Sequence, residues 1–82
     1  MKGNFYIQKT IEGLQTEKPR KNIGYISCND KKLNCFLEDN SFMLKMDVLD
    51  IMISADGILF KGIEDLNGRK LYQELWFIPR GK

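Results

Sequence analysis

Apolar residues along this chain recur mostly at every second position, the period of a half-buried strand rather than a helix. Phe5, Ile7 and Ile11 alternate with Tyr6, Gln8, Thr10 and Glu12, which predicts a first strand over about 4–12. Residues 13–22 are polar, contain Pro19, and read as a loop. Further strands are expected at about 23–28 and 33–38, with Asn29-Asp30-Lys31-Lys32 supplying turn chemistry between them. Near Val48-Leu49 the apolar parity switches: Phe42, Leu44, Met46 and Val48 share one face, and Leu49, Ile51 and Ile53 the other. A β-bulge or bend at that point keeps 42–54 as one strand. A short helix over Met43–Met52 also fits the spacing. The strand is preferred because two hairpin signals lie directly C-terminal to it.

Asp56-Gly57 and Asn67-Gly68 suit two-residue hairpin turns with positive φ at their central positions. Such turns fix register. Around Asn67-Gly68, Lys61 falls opposite Glu74, Phe60 opposite Leu75, Leu59 opposite Trp76 and Ile58 opposite Phe77. Around Asp56-Gly57, Ile53 falls opposite Phe60 and Ile51 opposite Gly62. Both turns then sort the residues onto the same two faces. One, the expected core face, holds Leu49, Ile51, Ile53, Ala55, Ile58, Phe60, Leu71, Leu75 and Phe77, with Gln73 and Glu64 as polar intrusions. The other holds Asp50, Met52, Ser54, Leu59, Lys61, Ile63, Tyr72, Glu74 and Trp76. Pro79 should close the last strand, since it cannot donate to the ladder.

The expected fold is all-β: a small curled antiparallel sheet or barrel of about six strands, with a C-terminal three-stranded meander over about 49–78. With 82 residues, one domain over 1–82 is expected, since a second core would have little to build with. No apolar run approaches a membrane span, and Met1–Phe5 lacks a signal-peptide core, so a cytoplasmic protein without membrane contact is expected. In that setting Cys28 and Cys35 are expected to be free thiols acting as small apolar residues.

Candidate chemistry is sparse. The chain has no histidine, which removes the usual general base near neutral pH and the commonest transition-metal ligand. Two cysteines without a second pair do not make a structural zinc site. The aspartates Asp47, Asp50 and Asp56 and the pair Glu64-Asp65 sit at the expected bulge or turns, where turn chemistry accounts for most of them. The glycines are scattered rather than gathered into a phosphate loop. A non-enzyme without cofactor or metal is therefore expected.

The face bearing Leu59, Lys61, Ile63, Tyr72, Glu74 and Trp76 has the make-up of a protein-binding surface: aromatics around a charge pair. The leading expectation is a small protein-binding module. Its Lys-, Asn- and Ile-rich composition suggests an AT-rich bacterial or phage genome. That composition fits a phage or mobile-element accessory or inhibitor protein that occludes a host protein. A homodimer through the edge of the last strand (70–78) is a related expectation.

The alternative is a small nucleic-acid-binding barrel of SH3-like or OB-like type. Its stacking platforms would be Tyr6, Tyr25, Phe36, Tyr72 and Trp76; its phosphate contacts would be Lys18, Arg20, Lys21, Lys31, Lys32 and Arg69. Residues 1–35 carry seven basic against three acidic residues, and 36–82 six against eight. The net charge of +2 weighs against this alternative. A homo-oligomeric structural component is the third expectation.

Overall fold

The computed structural model describes residues 2–11, 14–15 and 20–79. Among these described residues lie seven strands: β1 Lys2–Ile11, β2 Leu14–Gln15, β3 Lys21–Asn29, β4 Lys32–Leu37, β5 Phe42–Ser54, β6 Gly57–Leu66 and β7 Arg69–Pro79. All pair antiparallel in the order β2-β1-β3-β4-β5-β6-β7. Pairing of β1 with β7, from Gly3 opposite Pro79 to Thr10 opposite Tyr72, closes six strands into a small barrel. The two-residue β2 pairs with Thr10 and Ile11, so the stretch read as a loop contributes a short seventh strand outside the closed ring. Residues 43–52 are strand, as the hairpin logic requires.

Two turns follow their sequence chemistry. Asn67 and Gly68 both have positive φ, of 54° and 86°, and the register they set in β6–β7 is the expected one, including Lys61 opposite Glu74. Asp65 Oδ1 accepts a hydrogen bond from the Gly68 N–H at 2.9 Å, which braces that turn. Asp30 and Lys31 also take positive φ, 53° and 62°, in a two-residue turn closed by Asn29 and Lys32.

The β5–β6 turn differs from expectation. Ser54 pairs with Gly57, so the turn residues are Ala55 and Asp56, neither at positive φ. Ile53 therefore faces Ile58, and Ile51 faces Phe60, two positions from the expected partners. A two-residue shift preserves the faces, which is why the face assignment survives it. The cause lies in Gly57. A Cβ there would stand 2.6 Å from the Phe77 carbonyl oxygen and 3.2 Å from Trp76 Cζ2. Gly57 serves close approach to β7, not a left-handed turn.

The core comprises Phe5, Ile26, Leu33, Cys35, Leu44, Met46, Val48, Phe60, Leu75 and Phe77, drawn from β1 and β3–β7. Burial pushes the Cys35 thiol up to about 12. The two cysteines face different partners, Cys28 opposite Leu33 and Cys35 opposite Ile26, and both are free thiols. Gln73 is buried on the inner face, and its Nε2 donates to the Lys45 carbonyl at 3.0 Å. This bond ties β7 to β5 where β5 and β6 part, beyond the Asp47–Ile63 pair.

One part of the expected core face is overturned. Leu49, Ile51 and Ile53 are 65%, 47% and 79% exposed, and Ala55 is exposed with them. The bulge falls at Leu49, where the register shifts between Val48 and Asp50. Pairing of β5 with β4 ends at Asp47 opposite Lys32, and the Val48 N–H then donates to the Lys31 carbonyl at 2.7 Å. Past that point β5 runs beyond its β4 neighbour, so its inward-pointing side chains have no opposite wall to pack on.

Candidate functional site

The outer surface of β5–β6–β7–β1 is built from three cross-strand rows set by register. The first runs Met52–Leu59–Trp76–Tyr6 and is apolar and aromatic throughout; Lys21 on β3 continues it beyond Tyr6. The second runs Asp50–Lys61–Glu74–Gln8, a cation between two carboxylates and ending on an amide. The third contains Asp47, Ile63 and Tyr72. Because successive side chains alternate across a strand, these rows share one face, opposite the core.

The structure thus places Leu59, Lys61, Ile63, Tyr72, Glu74 and Trp76 together. Tyr72 and Glu74 are exposed, while Leu59, Lys61, Ile63 and Trp76 are half-buried. Trp76 leans over Gly57, as the close approach of its Cζ2 shows. Leu59, Trp76, Glu74, Tyr6 and Gln8 line a shallow hollow of about 260 Å³. Lys61 and Glu74 are register partners; an ion pair is formed nearby by Lys32 with Asp47 at 3.0 Å. That pair is well exposed and contributes about 0–1 kcal/mol.

Tyr6 and Gln8 belong to this surface although the C-terminal hairpin logic did not reach them. They arrive through closure of β1 on β7, a pairing across almost the whole chain. Their signal was the alternation of β1 itself, which marks Tyr6 and Gln8 as facing away from Phe5 and Ile7. No described element packs over this face; β1 lies beside β7 in the sheet rather than across it. Edge pairing through the last strand is overturned for residues 72–79, which have β6 on one side and β1 on the other.

The residues of the nucleic-acid alternative are dispersed. Lys18 lies outside the described residues. Arg20 and Lys21 stand at the start of β3, Lys31 and Lys32 at the β3–β4 turn, and Arg69 beside the β6–β7 turn. Lys32 is engaged by Asp47. The aromatic platforms are also split: Tyr25 stacks on Phe36 with ring centroids 5.1 Å apart, and Phe36 meets Phe42 edge-on at 5.9 Å. That second cluster sits on β3–β4–β5, with Tyr25 Oη donating to Asn40 Oδ1 at 2.6 Å. It is separate from the Tyr6, Tyr72 and Trp76 side.

Among the described residues, no group of three or more His, Cys, Asp or Glu side chains is placed to hold a metal ion. No helix there is long and apolar enough to cross a membrane. Asp39 is held below the usual carboxylate range by hydrogen bonds from Ser41, whose N–H lies 2.9 Å from Asp39 Oδ1. That contact shapes the β4–β5 connection. No family model, curated protein or solved structure matches this chain.

Proposed function

We propose that this protein is a small non-catalytic binding module. Its outer β5–β6–β7–β1 face takes a protein partner through Trp76, Tyr72, Leu59 and Ile63, with Lys61 and Glu74 setting orientation. The observation that supports this reading is the uninterrupted Met52–Leu59–Trp76–Tyr6 row on a face that no described element covers. Apolar and aromatic side chains gathered on an uncovered face, here one exposed (Met52) and three half-buried, are characteristic of interaction sites. Aromatic anchors give such sites most of their energy. The neighbouring Asp50–Lys61–Glu74 row is net acidic, which suits a protein surface better than a phosphate backbone. Within this reading, the protein is a cytoplasmic accessory or inhibitor of a phage or mobile element, and occlusion of a host protein's working surface is its mode of action.

The test is capture from bacterial lysate by the tagged chain, with and without nuclease, alongside Trp76→Glu and Tyr72→Glu. The expected result is one protein recovered in both nuclease arms and lost with either variant, both variants keeping the wild-type circular dichroism spectrum. Tyr72 is 54% exposed, so Tyr72→Glu keeps the test sound should Trp76→Glu unfold. Recovery that vanishes with nuclease and survives Tyr72→Glu would replace this reading with the nucleic-acid one.

A further inference from the structure

The outer half of β5 presents something the proposed contact face does not require. It is a strand edge without a neighbour among the described residues. From Asp50 to Ser54, β5 pairs with β6 on one side, while the side that β4 occupied earlier in the strand is open. Open edges are ordinarily blunted by lysine, proline, an inward charge or a covering loop. This segment carries no lysine and no proline, and its one charge is Asp50. Ile51, Met52 and Ile53 are all exposed on it.

We propose that this edge pairs antiparallel with the same segment of a second copy, about a two-fold axis through Met52, so that two barrels share one sheet. The register follows from elimination. Inner and outer faces stay continuous only if residues of like parity stand opposite one another. Centring the axis on Asp50 sets Asp50 against Asp50, and like charges directly opposite are destabilising. Centring it on Ile51 carries Ser54 of the second copy, still in strand, to the position beside Val48 that Lys31 already fills. Centring it on Ile53 sets Asp56 of the second copy against Asp50, again like against like.

The Met52 axis avoids all three conflicts. Ile51 and Ile53 then exchange backbone hydrogen bonds with Ile53 and Ile51 of the second copy, and each Asp50 faces a Ser54. The turn carrying Asp56 of the second copy comes level with Lys31 at the end of the β3–β4 hairpin, an opposite-charge contact made twice by symmetry. On the inner side, four isoleucines replace the missing wall over the barrel end. On the outer side, Met52 meets Met52 and joins the two Leu59–Trp76–Tyr6 rows into one band. The pairing does not depend on what that band binds.

Sedimentation equilibrium from about 10 μM to about 1 mM tests it, because one short strand makes a small interface of roughly micromolar or weaker affinity. The apparent mass should rise from 9.6 kDa toward twice that value. Ile53→Lys should remain monomeric throughout, with an unchanged circular dichroism spectrum, since Ile53 is the most exposed of these side chains. In a Cys28→Ser background, Met52→Cys should form a disulfide dimer on mild oxidation, whereas Ser41→Cys, exposed elsewhere, should not. A wild-type chain that stays monomeric, an Ile53→Lys variant that dimerises equally well, or equal cross-linking at both cysteines would overturn the proposal.

Discussion

Residues 43–48 and 49–54 belong to one strand and carry comparable amounts of apolar side chain, yet they end in opposite surroundings. In the first half Leu44 and Met46 are 2% and 3% exposed. They are enclosed because β4 runs alongside and the inner faces of β1, β6 and β7 complete the wall. In the second half β4 has turned away at Asp30–Lys31, a bulge at Leu49 has re-aimed the chain, and the same kinds of side chain stand in solvent. Hydrophobicity alone does not place a residue in a core. A strand buries its inner face only where neighbours on both sides carry the sheet around to close over it. Where one neighbour is missing, the apolar content becomes surface available for contact.

The largest effect separating the halves should come from deleting side-chain volume. Leu44→Ala is expected to cost about 2–5 kcal/mol, the usual range for a buried leucine. Ile53→Ala should stay within about 0.5 kcal/mol, as exposed substitutions do. Urea denaturation at low protein concentration gives both numbers, and similar costs would erase the distinction.

Cys35 sharpens the comparison from the enclosed side, for it pairs with Leu44. At pH 8 a thiol reagent should modify exposed Cys28 quickly and Cys35 only after denaturant is added. Burial raises the folded-state pKa of Cys35 from 9.0 to about 12, so the neutral thiol is favoured in the fold. Its stabilising contribution is complete below about pH 9 and disappears as pH rises through about 12. The denaturation midpoint of the wild type should therefore fall more steeply over that window than that of Cys35→Ala. Parallel curves would show Cys35 to be accessible.

A smaller effect concerns the turn that ends β3 and starts β4. Lys31 holds a φ of 62° that glycine adopts without penalty. Lys31→Gly should stabilise the barrel by about 0.5–1 kcal/mol, the left-handed cost removed less the extra entropy of glycine when unfolded. Thermal melts of the two proteins measure it, and a destabilised variant would mean that the lysine side chain contributes more than its backbone strain costs.

Much of the meander was legible because its determinants are local. Asn67-Gly68 set the β6–β7 register, and the parity switch at Val48-Leu49 located the bulge. The Asp56-Gly57 signal was misleading for a physical reason: glycine serves a left-handed turn and a close backbone approach equally well, and here Phe77 and Trp76 claim it. The exposure of Ile51 and Ile53 was not legible, since it depends on β4 being shorter than β5 and on where β3 turns. The addition of Tyr6 and Gln8 to the outer face likewise waits on β1 meeting β7, a contact that local pattern does not encode. The outer row of Leu59, Lys61, Trp76 and Glu74 was readable throughout, because one hairpin turn and the two-residue period suffice to assemble it.

Backbone amide exchange, followed residue by residue along β5 at several protein concentrations, tests the division of this strand most directly. Protection at Leu44 and Met46 should be high and independent of concentration. Protection at Ile51 and Ile53 should be low in dilute solution and rise as the protein is concentrated. Strong protection of Ile51 and Ile53 in the dilute monomer, or none at any concentration, would contradict the reading of this half-strand as an edge that waits for a second chain.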